Sequence, residues 1–316
     1  MKLSTLILAI SPLLAQQVEI QGITSGFVYE EASRSIRPIL GTAGAARLGD
    51  AIYADADFAS IAPNGRAALV TRSGRLILLR DLTKADPGAE FLDAAIATLR
   101  QVLWAEDSSS AVLVSAVPTR VQRISNLAGS PAFDDVIDLA AQGSITFAAS
   151  DREARKLAIG VRGDVETALY FVADSGQASL LSVVADASAA AFTVDGQDLY
   201  VADRTTKQVL LFRNAGPGSA ASTVLDSSSG IGDPVGLAAD RERLLVLDAQ
   251  ARTVWAFQLP SVTFMAAYSV EGEIQRIERV GGSSSYYRLT FPKNSGETLW
   301  LLDAQREPSV FFVPAK

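Results

Sequence analysis

The chain has 316 residues, enough for one large repeat domain or two ordinary ones. It carries 28 Lys and Arg against 35 Asp and Glu, a net charge of −7, and such an acidic balance argues against nonspecific binding to nucleic acid or anionic lipid. Cysteine and histidine are both absent, which excludes disulfides, a Ser-His-Asp triad and the commonest metal ligand.

Residues 1–15 have the pattern of a secretory signal peptide. Lys2 precedes the apolar stretch Leu3 to Leu14, and the small Ala15 follows. The stretch is too short to span a membrane, which takes roughly 20 apolar residues, and no other apolar run is longer. We therefore expect cleavage near Ala15, a single mature domain over residues 16–316, no membrane span, and a secreted or periplasmic location. An exported chain without cysteine suits a bacterium. The alternative is a buried terminal strand, which Pro12 disfavours.

The rest of the chain repeats one pattern of short apolar runs. In each unit a first run, a polar turn, a second run, a loop, a third run and a weaker fourth run follow one another. In one unit, for example, Leu199 to Ala202 and Val209 to Phe212 flank the charged loop Asp203 to Lys207. The second runs begin at Phe27, Leu69, Leu113, Leu157, Leu199, Leu244 and Tyr287, at separations of 42, 44, 44, 42, 45 and 43 residues.

This period predicts an all-β chain that forms a β-propeller of seven four-stranded blades. A single unit has apolar residues on both faces of its sheet and can bury them only by stacking radially against other units. In the last unit, Tyr287 to Phe291 is the second strand, Thr298 to Leu302 the third and Val310 to Val313 the fourth.

The first unit leaves the number of blades open. Val18 to Ile20 can supply its first strand and Phe27 to Tyr29 its second, but Pro38 falls in the third run, Ile36 to Leu40. Proline cannot donate to a strand ladder and is typical of edges and bulges. The strand therefore bulges at Pro38, or it is an edge strand that completes a ring of six blades, which is the alternative to seven.

Two units resemble a known class of propeller repeat. Asp195 to Phe212 (DGQDLYVADRTTKQVLLF) and Ala239 to Phe257 (ADRERLLVLDAQARTVWAF) are similar to NHL and YVTN-type repeats, with an Asp-Gly turn, a Leu-Tyr-Val-Ala-Asp strand and an aliphatic strand that ends in Phe. Elsewhere the resemblance rests on the period. It implies a propeller that is used for binding, or in some members for lactone or ester hydrolysis with a metal in the central channel.

Two aspartates recur at one position of the repeat. Asp203 and Asp248 end the second strands of successive units, 45 residues apart. A ring of such carboxylates could hold Ca²⁺ at a channel mouth. The ring is incomplete, because other units place there Glu30, Ser115, Gly160 and Phe291. We favour a turn in which each Asp accepts hydrogen bonds from the backbone of its own loop, and we predict no metal and no cofactor.

No catalytic motif is present: the chain has no G-x-S-x-G, no G-x-G-x-x-G and no P-loop. We predict a monomeric, noncatalytic propeller that binds a protein, peptide or glycan. The alternatives are a metal-dependent lactonase or esterase with carboxylates in the channel, and a structural module of the cell envelope. The first strands should line the axis and mostly offer Ala, Ser, Thr and Val, which counts against the hydrolase.

The expected binding surface is the face with the loops between second and third strands. These loops should open on the same face as the links between blades, and loops that vary between repeats are where repeat proteins usually bind partners. The candidate residues are Arg72, Arg162, Asp164, Asp203, Arg204, Lys207, Asp248, Arg252 and Lys293.

Overall fold

A computed structural model describes residues 24–41, 45–84, 86–96, 98–174, 176–279, 286–290, 299–304 and 309–313. In this part of the chain the strands form seven antiparallel sheets, and the sheets form the ring of a seven-bladed β-propeller. The all-β, seven-bladed prediction is confirmed, and the six-bladed alternative is wrong. None of the helices in the described ranges is long and apolar enough to cross a membrane.

In blades 2 to 7 the strands follow the predicted order, and in blade 1 the described strands begin with the predicted second strand. Blade 1 contains β1 (Thr24–Glu30), β2 (Ser35–Leu40) and β3 (Arg47–Leu48); blade 2 contains β4 (Phe58–Ile61), β5 (Ala67–Arg72), β6 (Arg75–Arg80) and β7 (Gly88–Leu92). Blade 3 contains β8 (Gln101–Trp104), β9 (Ala111–Ala116), β10 (Thr119–Ser125) and two short strands that both pair with β10, namely β11 (Ala132–Phe133) and β12 (Ile137–Asp138). Blade 4 contains β13 (Ser144–Ser150), β14 (Leu157–Arg162), β15 (Thr167–Val172) and β16 (Ala178–Val184).

The last three blades have four strands each. Blade 5 contains β17 (Ala187–Phe192), β18 (Leu199–Asp203), β19 (Gln208–Phe212) and β20 (Ala221–Leu225). Blade 6 contains β21 (Pro234–Ala239), β22 (Arg243–Asp248), β23 (Thr253–Gln258) and β24 (Thr263–Ser269). Blade 7 contains β25 (Arg276–Arg279), β26 (Tyr286–Thr290), β27 (Leu299–Asp303) and β28 (Ser309–Val313), in agreement with the predicted second, third and fourth strands.

Strand β18 shows why the second strands are apolar throughout. All five of its residues are buried. Because successive side chains of a strand point to opposite faces, Leu199 and Val201 pack on blade 4, whereas Tyr200 and Ala202 pack on blade 6. A strand between two neighbouring blades has no solvated face, so it carries no polar alternation.

Strand β1 holds the second-strand position of blade 1. Arg34, in the hairpin between β1 and β2, forms an ion pair with Asp57 directly before β4. Arg204 after β18 likewise pairs with Asp233 directly before β21, in the following blade. The assignment of Phe27 to Tyr29 as a second strand is thereby supported, while Val18 to Ile20, predicted as the first strand, lies outside the described residues.

Pro38 lies in β2 without a bulge and away from a sheet edge. Strand β2 runs between β1 and β3, and its register with β1 shows no shift where Phe27 faces Pro38. The carbonyl oxygen of Pro38 accepts a hydrogen bond from the Gly49 N–H (2.8 Å), just beyond Leu48, where β3 ends. The proline nitrogen points to this same side, so its missing N–H falls beyond the ladder and both predicted consequences of Pro38 are wrong.

The ring closes by packing between the first and last blades. Val28, Ile39 and Leu48 of blade 1 share a buried cluster with Leu301 and Val313 of blade 7. Over the described ranges these two blades are separate sheets with no common strand. Apolar contact between sheet faces therefore joins the two ends of the chain here.

Candidate functional site

The loops between second and third strands share one face with the segments that enter the inner strands. In blade 5 the Arg204 N–H donates to the carbonyl of Asp186, directly before β17 (3.0 Å). In blade 6 the Ala249 N–H donates to the carbonyl of Asp233, directly before β21 (2.9 Å). This is the face on which the sequence predicts binding, and we call it the entry face; the opposite one is the exit face.

Asp203 and Asp248 are buried beneath the entry face. Asp203 accepts hydrogen bonds from the N–H groups of Ala185 (3.1 Å), Asp186 (3.2 Å) and Thr206 (3.2 Å). Asp248 accepts them from Gly232 (2.7 Å), Asp233 (3.1 Å) and Ala251 (3.0 Å). Each carboxylate thus holds its own loop, as the turn interpretation requires, and also ties down the segment that enters the inner strand. Neither residue lines the central cavity.

Several arginines of the entry face connect neighbouring blades. Arg204 of blade 5 donates two parallel hydrogen bonds to Asp233 before blade 6 (2.7 and 2.8 Å). The hydrogen bond to Asp233 and that carboxylate's charge raise the pKa of Arg204 above its usual value despite partial burial. Arg162 of blade 4 pairs with Asp186 before blade 5. The charges of these predicted binding residues are thus neutralised within the ring, as is that of Arg72, which pairs with Asp55 (3.2 Å).

Other predicted residues stand free on the surface. Asp164, Lys207 and Arg252 are exposed, and none of them forms an ion pair with another residue of the described ranges. Lys207 and Arg252 hold equivalent positions directly before the third strand, both with positive φ (55° and 50°). Lys293 lies outside the described residues.

Sequence reasoning missed an apolar feature of the entry face, the pair Val117 and Val165, which we call the valine patch. Val117 is 80% exposed in the hairpin between β9 and β10, and Val165 is 79% exposed in the hairpin between β14 and β15. The two hairpins belong to adjacent blades, and Thr119 Oγ1 of blade 3 donates to the Gly143 carbonyl directly before the inner strand β13 of blade 4 (2.7 Å). A valine in each of two hairpin loops was the signal available in the sequence.

A cavity of about 1900 Å³ runs along the axis and extends beside β1. The inner strands line it mainly with small residues, as predicted, but Trp104 also reaches it and donates from Nε1 to Ser60 Oγ of blade 2 (2.9 Å). Val117 borders the same cavity, so this member of the valine patch lies beside the axial opening.

Three glutamates that line this cavity are paired with arginines. Glu30 pairs with Arg37 (2.8 Å), Glu278 with Arg276 (3.1 Å), and Glu106 with Arg152. Burial by itself raises the pKa of Glu30, but hydrogen bonds from Ser33 and Arg37, with the charge of Arg37, outweigh it and leave the pKa below its usual 4.5. The described part of the chain holds no group of three Asp, Glu, His or Cys that could bind a metal. The donor set present here does not fit Ca²⁺, which takes six to eight oxygen ligands.

No family model matches the chain, NHL and YVTN repeats included, and no curated protein matches it. Solved structures do. A functionally unknown protein from Desulfotomaculum acetoxidans DSM 771 is 15% identical over 92% of this chain and 100% of that one (TM-score 0.66). The β-propeller domain of Cps50 (Swd1) from Myceliophteria thermophila is 11% identical over 83% and 87% (TM-score 0.59). A calcium-binding protein, regucalcin from Agrobacterium tumefaciens C58, is 15% identical over 82% and 90% (TM-score 0.53). At these identities the likeness shows the β-propeller fold of this chain and nothing finer.

Proposed function

We propose that this chain is an exported, noncatalytic β-propeller that binds a protein, peptide or glycan on its entry face. The valine patch is the observation that carries the proposal. Val117 and Val165 stand about four-fifths exposed on hairpins of adjacent blades, and Val117 borders the axial cavity. Exposed apolar side chains that cluster on functional loops are typical of interaction sites. Export rests on the amino-terminal pattern of Lys2 and Leu3 to Leu14.

The surroundings of the valine patch suit a binding surface. Asp164 is exposed in the same hairpin as Val165, and the carbonyl of Val165 accepts a hydrogen bond from Arg162 Nη1 (3.2 Å). Protein interfaces commonly combine an apolar centre with a polar rim. The hairpin backbone is held by Arg162, so the patch is presented on a fixed support.

Substitutions in the patch test this proposal. The double variant Val117→Asp/Val165→Asp should lose the ligands that the unmodified protein selects from a peptide array and a glycan array. The control is Leu180→Asp/Val183→Asp, which makes the same chemical change at exposed apolar residues of the outer strand β16 (55% and 47% exposed). The proposal would be contradicted if ligands still bound the patch variant but no longer bound the control variant. This comparison requires that both variants keep the parental thermal midpoint.

Charge reversals test the extent of the surface. Lys207→Glu/Arg252→Glu should slow association with a selected ligand more than it changes stability, because exposed interface charges act mainly on the association rate. Arg241→Glu, an exposed residue in a turn of the exit face, is the control. Arg204 is unsuitable, since its reversal would also break the pair with Asp233 between blades. Equal slowing by Arg241→Glu would show that net charge, not the entry face, is responsible.

The alternative function is a metal-dependent lactonase or esterase. It needs three or four carboxylate or amide ligands that converge on the axis. The described residues hold no group of three Asp, Glu, His or Cys that could bind a metal, and Glu30, Glu106 and Glu278 of the cavity lining pair with arginines. Lactone and aryl-ester substrates should therefore show no turnover with added Ca²⁺ above that with EDTA. Turnover that Ca²⁺ restores after EDTA treatment would replace the binding proposal with the hydrolase.

A further inference from the structure

Two arginines from well-separated blades line one end of the axial cavity. Arg100 directly precedes β8 of blade 3, and Arg276 begins β25 of blade 7. Both line the cavity. Because inner strands start at the entry face, both side chains originate at the entry end of the channel.

The charge of Arg100 has no acidic partner among the described residues. Its guanidinium donates from Nη1 to the carbonyl of Ile145 and from Nη2 to the carbonyl of Thr146 (3.2 Å), both in the inner strand of blade 4. Two neutral carbonyls fix the position of the group but leave its charge uncompensated. Guanidinium has five N–H donors, so three remain for a ligand.

Blade 7 presents an excess of positive charge to the same cavity. Arg276 Nη1 lies 3.1 Å from Glu278 Oε1, and Glu278 faces Arg288 directly across the β25–β26 ladder. Arg288 also lines the cavity and forms no ion pair in the described ranges, so the pair of Glu278 with Arg276 leaves the charge of Arg288 without a carboxylate partner there. Thr290 faces Arg276 across the same ladder, and its buried Oγ1 has no hydrogen-bond partner there.

The two cationic groups act on each other through the cavity. Burial lowers the pKa of Arg100, and the charge of Arg276 lowers it further. Two other carboxylates of the cavity lining are engaged elsewhere, because Glu30 is bound to Arg37 and Asp57 is bound to Arg34 and to the N–H of Ser73 (2.7 Å). An anion placed between the two guanidinium groups would remove their repulsion.

We propose that the entry end of the axial cavity binds an oxyanion, the carboxylate or phosphate group of a small ligand, between Arg100 and Arg276. The guanidinium fork matches both groups and binds them with two parallel hydrogen bonds. The Thr290 hydroxyl supplies a further donor on the wall of blade 7. This site is independent of the partner proposed for the valine patch, so failure of either proposal leaves the other standing.

Titration of the purified protein with inorganic phosphate and with malonate tests the site, by calorimetry and by thermal shift against sodium chloride of equal ionic strength. We expect saturable binding of at least one oxyanion, and the two arms distinguish phosphate from carboxylate. Arg276→Gln should raise the dissociation constant of the anion by about tenfold or more, because it removes one hydrogen bond to a charged group. Without the anion, Arg276→Gln should keep the parental thermal midpoint, since the like-charge repulsion that it removes offsets the loss of the partly exposed ion pair with Glu278.

Arg66→Gln is the matched control, because Arg66 lines the same cavity from a turn of the exit face. It should retain the parental affinity, and Arg100→Gln should weaken binding as Arg276→Gln does. If Arg100→Gln fails to fold, the comparison between Arg276→Gln and Arg66→Gln decides alone. Absence of saturable binding of both anions, or equal weakening by Arg66→Gln and Arg276→Gln, would overturn the proposal.

Discussion

Replacing Asp248 by alanine tests whether one buried carboxylate holds two segments of blade 6 together. Asp248 is completely buried and accepts hydrogen bonds from the N–H groups of Gly232, Asp233 and Ala251. A hydrogen bond to a charged group contributes about 1.5–3 kcal/mol, so the three together would contribute about 5–9 kcal/mol if none were replaced. Ala251 is exposed and the other two donor residues are half-buried, so water can replace some of the lost hydrogen bonds in the variant. We expect Asp248→Ala to lower the free energy of unfolding by about 3–5 kcal/mol.

Urea denaturation followed by circular dichroism measures this change as a shift of the midpoint at constant slope. Asp248→Asn should lower the free energy of unfolding by about half as much. Its amide oxygen can still accept hydrogen bonds, but its amide nitrogen faces a backbone N–H group. Asp203→Ala should match Asp248→Ala, since its three contacts are equivalent. The control Asp164→Ala, at an exposed residue, should stay within about 0.5 kcal/mol. An Asp248→Ala midpoint equal to the parental one would refute the reasoning.

Three further predictions concern packing, pH and processing. Leu211 is buried between blades 5 and 6, so Leu211→Ala should cost about 2–5 kcal/mol in thermal or urea unfolding, and an unchanged midpoint would contradict this packing. The pKa of Glu30 is depressed in the folded state, so its ion pair stabilises the fold above pH 4.5 and loses this effect as the pH falls below that value. The stability gap between Glu30→Gln and the parent should therefore shrink in acid, whereas a gap independent of pH would exclude this linkage. Finally, protein recovered from an exporting host should begin near Gln16 on amino-terminal sequencing, and an intact Met1 would exclude cleavage.

Local patterns in the sequence were sufficient for the architecture. A blade is built from hairpins whose strands follow one another closely, so the runs Leu199 to Ala202 and Val209 to Phe212 carry their own pairing information. Their consecutive apolar residues also indicated sheets covered on both faces, and all of β18 is buried. The turn role of Asp203 was predictable for the same reason, because Thr206, one of its donors, lies three residues away in the same loop.

Pro38 marks the limit of such local reasoning. Proline in a strand-like run indicated a bulge or an edge, yet its nitrogen faces the point where the ladder with β3 has already ended. Where a ladder ends depends on the partner strand and on the loop that leaves it. The sequence of β2 alone contains no information on that point.

By itself, the sequence determined the repeat and the apolar strands and favoured seven blades, because hairpin pairing and side-chain alternation act over a few residues. Only the tertiary structure decided which charges remain available. Arg204 is neutralised by Asp233, 29 residues away in the chain and directly before the next blade. The charge of Arg276 in blade 7 lowers the pKa of Arg100 in blade 3. Val117 and Val165 likewise share one face only because both hairpins join second to third strands in adjacent blades of the ring. Radial closure brings together residues one or more blades apart, and electrostatic and apolar contacts between them depend on distances that the ring alone sets.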